Sequence, residues 1–430
     1  LLAGRDLRIA ADRRLWQLSF NREEDLRPVC RRKWLEVEEA TLSRAPASTS
    51  ACGIRVAASA LTSTRDAVGE LKVRLGGGDF QHIIAFFAIE HDATVLVDAL
   101  AEAFPGVPIS GCSTAGEIGP AGMMQGGVLL IAFPREGFRV HSDLIPDIDR
   151  FGVERATEVA RRLKTQVGAQ SDPLLKGNVF ALLLVDGLSN VEETIVAAIH
   201  WAIDDIPLIG GSAGDGLAFN RTTLIHNGRV AERAAILMMI ESAYPFRVFK
   251  TQNFEPTQIK LVVTAADTEN RIVHELNAEP AAREYAAAIG LMTDDLGPFS
   301  FASYPLVVKV GGDYYCRSIR NMNPDGSLSF FCAIDEGLVF TVARPQDMLH
   351  STSSVLEELD AKLGGIDLVV GFDCMLRRLD AETRQIRLQM DELYRQYSVA
   401  GFHTYGEQFN AMHLNQTLTG IAFGQRTTGT

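Results

Sequence analysis

Short apolar runs alternate along this chain with stretches in which apolar residues return every third or fourth position, and the alternation occurs in three copies. In the first copy His82–Ile89 is the run. Asp92–Phe104 then carries an apolar stripe on Val95, Leu96, Ala99, Leu100 and Ala103, and Val107-Pro108-Ile109 leads into Gly111-Cys112-Ser113-Thr114-Ala115-Gly116-Glu117 before a further run, Gly127–Phe133. A run bounded by turn residues reads as a buried strand, and a stripe at helical period reads as a helix lying on a sheet. The second copy has Val179–Val185, Val191–Ile203 and Ile206–Ile209, then Gly210-Gly211-Ser212-Ala213-Gly214-Asp215 and Ala235–Ile240. The third has Ile366–Phe372, Asp380–Tyr397 and Val399-Ala400, then Gly401-Phe402-His403-Thr404-Tyr405-Gly406-Glu407 and Thr417–Phe423. The first and third copies share G-x-x-T-x-G-E, and the second fits it only if one residue is deleted.

Repeated strand–helix–strand segments imply an α/β fold of duplicated βαβ-like units forming mixed sheets, with ligands expected at loops near strand ends. Between Pro245 and Phe340 the pattern turns richer in strands, at Leu261-Val262-Val263, Leu306–Val310, Tyr314–Ile319 and Leu328–Phe331, with turn residues at Gly311-Gly312-Asp313 and Asn323-Pro324-Asp325-Gly326. The helix expected over Ala278–Ile289 marks the join. The chain then divides into an extension or linker over 1–50, an N-terminal α/β region with internal repeat over 51–277 and a C-terminal region over 278–430.

The 430 residues, 47% hydrophobic and 22% charged, are enough for two or three packed domains. A balance of 41 basic against 54 acidic residues, net −13, works against a surface built for phosphate backbones, so no nucleic-acid partner is expected. The six cysteines stand singly, without metal-ligand spacing or a covalent-haem motif, and read as buried thiols of a reducing compartment. No apolar run approaches the ~20 residues of a membrane span. A cytoplasmic protein with no membrane partner is the expectation.

The turn glycines permit close backbone approach, while Ser113, Thr114 and Glu117 in the first turn, Ser212 in the second and Thr404 and Glu407 in the third offer hydroxyls and carboxylates beside Gly111 and its counterparts. Such a turn can cradle a small metabolite, for example an amino acid. The competing reading is purely structural, because a crossover between strands needs glycine and function rarely needs three copies. Gly210–Gly214 also fits G-x-S-x-G, which makes Ser212 a candidate hydrolase nucleophile. A nucleophile elbow must run straight into a helix, however, and Asp215–Asn220 reads as loop. No G-x-G-x-x-G or P-loop motif is present. The nine histidines are isolated, with no zinc spacing. A non-covalent haem needs only one neutral imidazole facing an apolar pocket, and two histidines stand out by their neighbours: His413, beside Met412, and His403, inside the third turn. Taken alone, either is more often a hydrogen-bonded residue than a ligand.

Five segments in register carry a family resemblance: GCSTAGE at Gly111–Glu117, PLIGGSAG at Pro207–Gly214, FRVFKT at Phe246–Thr251, DGSLSFFCAIDEG at Asp325–Gly337 and GFHTYGEQFNAMHLNQT at Gly401–Thr417. They resemble successive motifs of proteins with FIST N and FIST C domains, over residues 54 to 424. The resemblance implies a bacterial sensory protein, not an enzyme, working with a histidine kinase or with a cyclic-di-GMP enzyme, a diguanylate cyclase or phosphodiesterase. Phe249–Val263 together with FFCAIDEG is most similar to a branch that binds haem and senses nitric oxide. That implies haem as cofactor, with His413 as iron ligand and Met412 and His403 nearby. Asn253 stands where relatives have His, and His403 where they have Ser. The alternatives are a FIST sensor of a small metabolite without haem, a serine hydrolase, and a scaffold that only presents a docking face.

Overall fold

Each copy of the repeat folds as strand, helix, strand, helix, strand, hairpin and strand. The computed structural model describes residues 48–170, 178–310 and 312–425, all in one compact unit, Ala45–Thr430; the extension read over 1–50 lies almost wholly outside the described residues. The first unit comprises Arg55–Ser59, Thr64–Leu75, Phe80–Ala88, Ala93–Ala103, Ile109–Thr114, the hairpin Glu117–Gly119 with Gly122–Met124, and Val128–Pro134. The second comprises Phe138–Ile145, Ile148–Gln170, Val179–Val185, Glu192–Ile203, Leu208–Ser212, the hairpin Leu224–His226 with Arg229–Ala231, and Ala235–Ser242. The third comprises Phe246–Gln252, Met348–Leu363, Ile366–Cys374, the helices Met375–Thr383 and Arg387–Gln396, then Val399–Thr404, the hairpin Glu407–Phe409 with Met412–Leu414, and Thr417–Gly424. In every unit the two strands flanking the second helical segment are parallel, as βαβ geometry requires, while the last strand returns antiparallel. The α/β reading with mixed sheets holds. The single helix expected over Asp380–Tyr397 is instead two, because Gln385 takes a left-handed backbone with φ 57° between them.

The units exchange their hairpins. The sheet of the first unit continues into the hairpin of the second, with Leu224 opposite Cys112. That of the second continues into the hairpin of the third, with Glu407 opposite Gly211, and that of the third into the hairpin of the first, with Glu117 opposite Phe402. The exchange closes on itself, so the three units form a ring with pseudo-threefold symmetry. One face of each sheet packs on its own helices, in three separate apolar cores. The opposite faces meet through aromatic rings: Phe86, Phe372 and Phe402 in one cluster, Phe138, Phe180, Phe246 and Phe423 in another. Edge-to-face pairs of this kind add ~1 kcal/mol each beyond the area they bury.

The strand-rich middle is an insertion into the third unit, between Phe246–Gln252 and Met348–Leu363. Its sheet is ordered Asp313–Arg317, Leu306–Val310, Val339–Pro345, Phe254–Asp267, Ile272–Leu276, Leu328–Phe330 and Ile319–Met322, with the helices Ala281–Ile289 and Pro298–Ser303 on its apolar core. The join read at 277/278 falls inside this module. No helix among the described residues is long and apolar enough to cross a membrane. The five described cysteines are buried and unbridged.

Candidate functional site

The three glycine turns meet at the centre of the ring and interlock. Gly111, Gly210 and Gly401 are equivalent: a β-carbon at each would stand 1.9, 1.9 and 1.8 Å from the carbonyl oxygen of Ala85, Leu183 and Gly371 on the parallel neighbour. Two residues on, Ser113, Ser212 and His403 therefore occupy one structural position. Their backbone N–H groups donate to Thr223, Gly406 and Gly116 at 2.8, 2.8 and 2.7 Å, and their carbonyls accept from Gly214, Tyr405 and Ala115 at 3.0, 3.2 and 2.9 Å. The same two bonds recur at each contact between units. The glutamate position is Glu117, Glu407 and, in the second unit, Leu224, reached through the loop 216–223. The second turn thus differs by an inserted loop rather than by the single deletion its sequence suggests.

The residues read as a cradle, Gly111, Ser113, Thr114, Glu117, Ser212, Thr404 and Glu407, are thus gathered at one place, and they bond to the fold itself. Thr114 and Thr404 donate to Glu117 and Glu407, whose other oxygens accept from Gly127 N at 3.3 Å and from Thr417 N and Oγ1 at 3.2 and 2.7 Å. Burial raises both carboxyls to about 8, so they are mostly protonated at neutral pH. Ser113 Oγ accepts from Thr223 N and Ser212 Oγ from Gln408 Nε2 at 2.9 Å. Ser212 is fully buried, follows a strand that runs into a loop, and has no imidazole within hydrogen-bonding distance among the described residues, which is not a nucleophile's setting.

His413 lies on the exchanged hairpin with 2% of its surface exposed. Its ring packs over Gly406 so closely that a β-carbon there would come 2.2 Å from Cε1 and 2.5 Å from Nε2. Gln408 Nε2 lies 3.3 Å from Nδ1 and engages that ring nitrogen. Burial lowers the imidazole to about 4, against the opposing pull of Glu193. Met412, the adjacent strand residue, points to the opposite face. Neither ring nitrogen is open to iron: Nδ1 is engaged by Gln408 and Nε2 is packed against Gly406. His403 is fully buried, and burial together with the guanidinium groups of Arg378, Arg387 and Arg377 holds it well below the usual histidine range. These residues, as seated, do not fit a haem.

A second polar group was not read from the sequence. At the end of the inner strand the first two units place Phe87 and Val185; the third places Asp373, opposite His403. Met375–Thr383 begins directly after that strand, which brings Arg377 one helical turn beyond Asp373. Arg377 donates from Nε to Asp373 Oδ1 at 2.7 Å, from Nη1 to Asn253 Oδ1 at 2.8 Å and from Nη2 to Thr352 Oγ1 at 3.0 Å; Tyr394 donates to Asp373 Oδ2 at 2.8 Å. Burial raises Asp373 and Arg377 opposes it. Next to this network, Arg378 is 4% exposed with no hydrogen-bond partner for Nε or Nη1, and neither ring nitrogen of His403 has one, its Nδ1 lying 3.7 Å from Asp373 Oδ2. Both side chains lie against Gly116, where a β-carbon would be 3.2 Å from His403 Cδ2 and 3.4 Å from Arg378 Nη1. The far side of the same helix faces the inserted module: Asp380 accepts from Ser303 Oγ at 3.1 Å, and Leu376 and Leu379 pack with Ala302 and Phe331. The one sequence signal for this layer is a charged residue, Asp373, directly after the apolar run Leu368–Phe372.

The build is that of a repeat α/β protein with an inserted β module. Residues 81–279 match the family model of the FIST N domain and residues 281–410 that of the FIST C domain. The chain is a FIST-domain protein, and FIST domains belong to sensory signal transduction. Uncharacterized protein MJ1623 of Methanocaldococcus jannaschii is 24% identical over 278 residues, 61% of this chain and 53% of that protein, so the chain spans about half the length of this relative.

Proposed function

We propose that this FIST-domain protein is the sensing partner of a separate signalling enzyme, a histidine kinase or a cyclic-di-GMP enzyme, and that its input is a small metabolite bound at the polar layer of the third unit. The observation that supports this reading is the placement of Met375–Thr383. One face of the helix carries Arg377 and Arg378, and the other holds the module through Asp380, Leu376 and Leu379. A ligand that shifts the helix tilts the module against the ring and changes the face offered to the enzyme. A difference in ligand affinity of ~1.4 kcal/mol between two such states shifts their ratio tenfold, so a small movement suffices.

The haem and nitric-oxide reading rests on family resemblance, and the seats of His413 and His403 favour the colourless alternative. Haemin titrated into the full chain is expected to give no Soret band removed by His413→Ala, while a screen of small metabolites by thermal unfolding is expected to yield a stabilising compound. A His413-dependent band that moves with nitric oxide would overturn this order.

A further inference from the structure

We propose that the ligand of this layer is a small anion, a carboxylate or phosphate, held by Arg378 with neutral His403 beside it; the proposal rests on the reading that this layer is the input site. Charge counting leads there. Arg377 pairs with Asp373, Arg384 with Asp380, and Arg387 lies 3.8 Å from Asp391. Arg378, 4% exposed, has no carboxylate within ion-pairing distance among the described residues; Glu382, one helical turn on and half-buried, is the charged group that acts on it most strongly, but from beyond that distance. Glu117 is the buried carboxyl nearest the turn, but it is held up at about 8 and both its oxygens are engaged by Thr114 and Gly127, so it does not serve as counter-charge at neutral pH. An unpaired buried guanidinium is among the least favourable groups a fold can hold, and an anion from solution removes the penalty.

His403 strengthens the case independently. The equivalent positions in the other two units hold serines whose hydroxyls bond to their surroundings, Ser113 to Thr223 and Ser212 to Gln408. Only the third unit places there a larger side chain, whose Nδ1 lies 3.7 Å from Asp373 Oδ2 and whose Nε2 has no hydrogen-bond partner, and it does so next to the arginine. A neutral imidazole supplies one N–H donor without adding charge, so the pair presents donors from two side chains to one acceptor. An anion bound there also touches the helix that carries the module.

The test uses the full chain at neutral pH, with inorganic phosphate, succinate and sodium chloride compared at matched ionic strength by thermal unfolding. Phosphate, succinate or both should raise the wild-type midpoint above that in chloride, and which of them does so distinguishes the two sources of the anion. The half-saturating concentration should rise at least tenfold in Arg378→Gln, less in Arg378→Lys, and measurably in His403→Ser. Equal responses in wild type and Arg378→Gln, or no response of the wild type to either anion, would overturn the proposal. Hydrogen exchange of Pro298–Ser303 is read in the same samples. Anion binding through Arg378 that leaves the module unchanged removes the relay and keeps the anion site; a module response that survives Arg378→Gln keeps the relay and removes the anion site.

Discussion

The first two units and the third share a backbone and differ in what they bury. Where the strand meets the helix layer, the first and second place Phe87 with Ser113 and Val185 with Ser212; the third places Asp373 with His403. The first two fill this position with an apolar side chain and a bonded hydroxyl, and the third with an ionic network beside two side chains, Arg378 and His403, whose buried nitrogens lack hydrogen bonds. A ring closed by three equivalent hairpin exchanges makes the same backbone hydrogen bonds at each contact. A departure from that symmetry that costs desolvation calls for another explanation, and it coincides with the one unit that carries the inserted module.

Breaking the polar layer should have the largest effect. Asp373→Ala leaves Arg377 buried without its carboxylate and should cost ~3–5 kcal/mol in denaturant unfolding, whereas Asp373→Val with Arg377→Met, which imitates the apolar second unit, should cost far less. Equal losses in the two variants would mean that the layer stabilises the fold by its charges, and the contrast between units would lose its force.

A smaller, pH-dependent effect tests the part the units share. Glu117 and Glu407 are raised to about 8 in the fold from an ordinary value of 4.5. The native state therefore binds their protons more tightly than the unfolded chain does. Their stability is fully present below 4.5 and is lost as pH rises through 8. Glu117→Gln and Glu407→Gln keep the hydrogen-bonding shape without the titration. Each should flatten the stability profile between pH 5 and 8 by on the order of 1–3 kcal/mol, and by similar amounts if the two clamps are equivalent. A profile unchanged by either substitution would show that the buried carboxyls stay ionised.

The repeat was legible because a βαβ core writes itself as continuous apolar runs and helical stripes: Phe80–Ala88, Val179–Val185 and Ile366–Cys374 all lie where the hydrophobic pattern puts a strand. Their preceding helices write the same period: Thr64–Leu75 buries Ala67, Val68, Leu71 and Leu75, and Ile148–Gln170 buries Ala156, Val159, Ala160, Leu163 and Val167, although no helix is read there from the sequence. The exchanged hairpins have strands of three residues, too short for a period, and their partners are set by ring closure rather than by local sequence. The glycine turns stood out, and the structure puts all seven of their marked residues together, but sequence does not tell a hydroxyl that bonds its own fold from one that awaits a ligand. Arg378 was invisible for the opposite reason. An arginine pair at the start of a helix reads as a solvated face, and only the packing of the first unit's hairpin against the third buries it.

The relay is tested most directly by hydrogen exchange of the full chain with and without a stabilising small molecule, read across the three equivalent helices Ala93–Ala103, Glu192–Ile203 and Met375–Thr383 and the module helix Pro298–Ser303. Protection is expected to change at Met375–Thr383 and at Pro298–Ser303 together, and to stay constant in the other two helices. A change confined to the first or second unit, or one at Met375–Thr383 that leaves Pro298–Ser303 untouched, would contradict a sensor that works through its third unit.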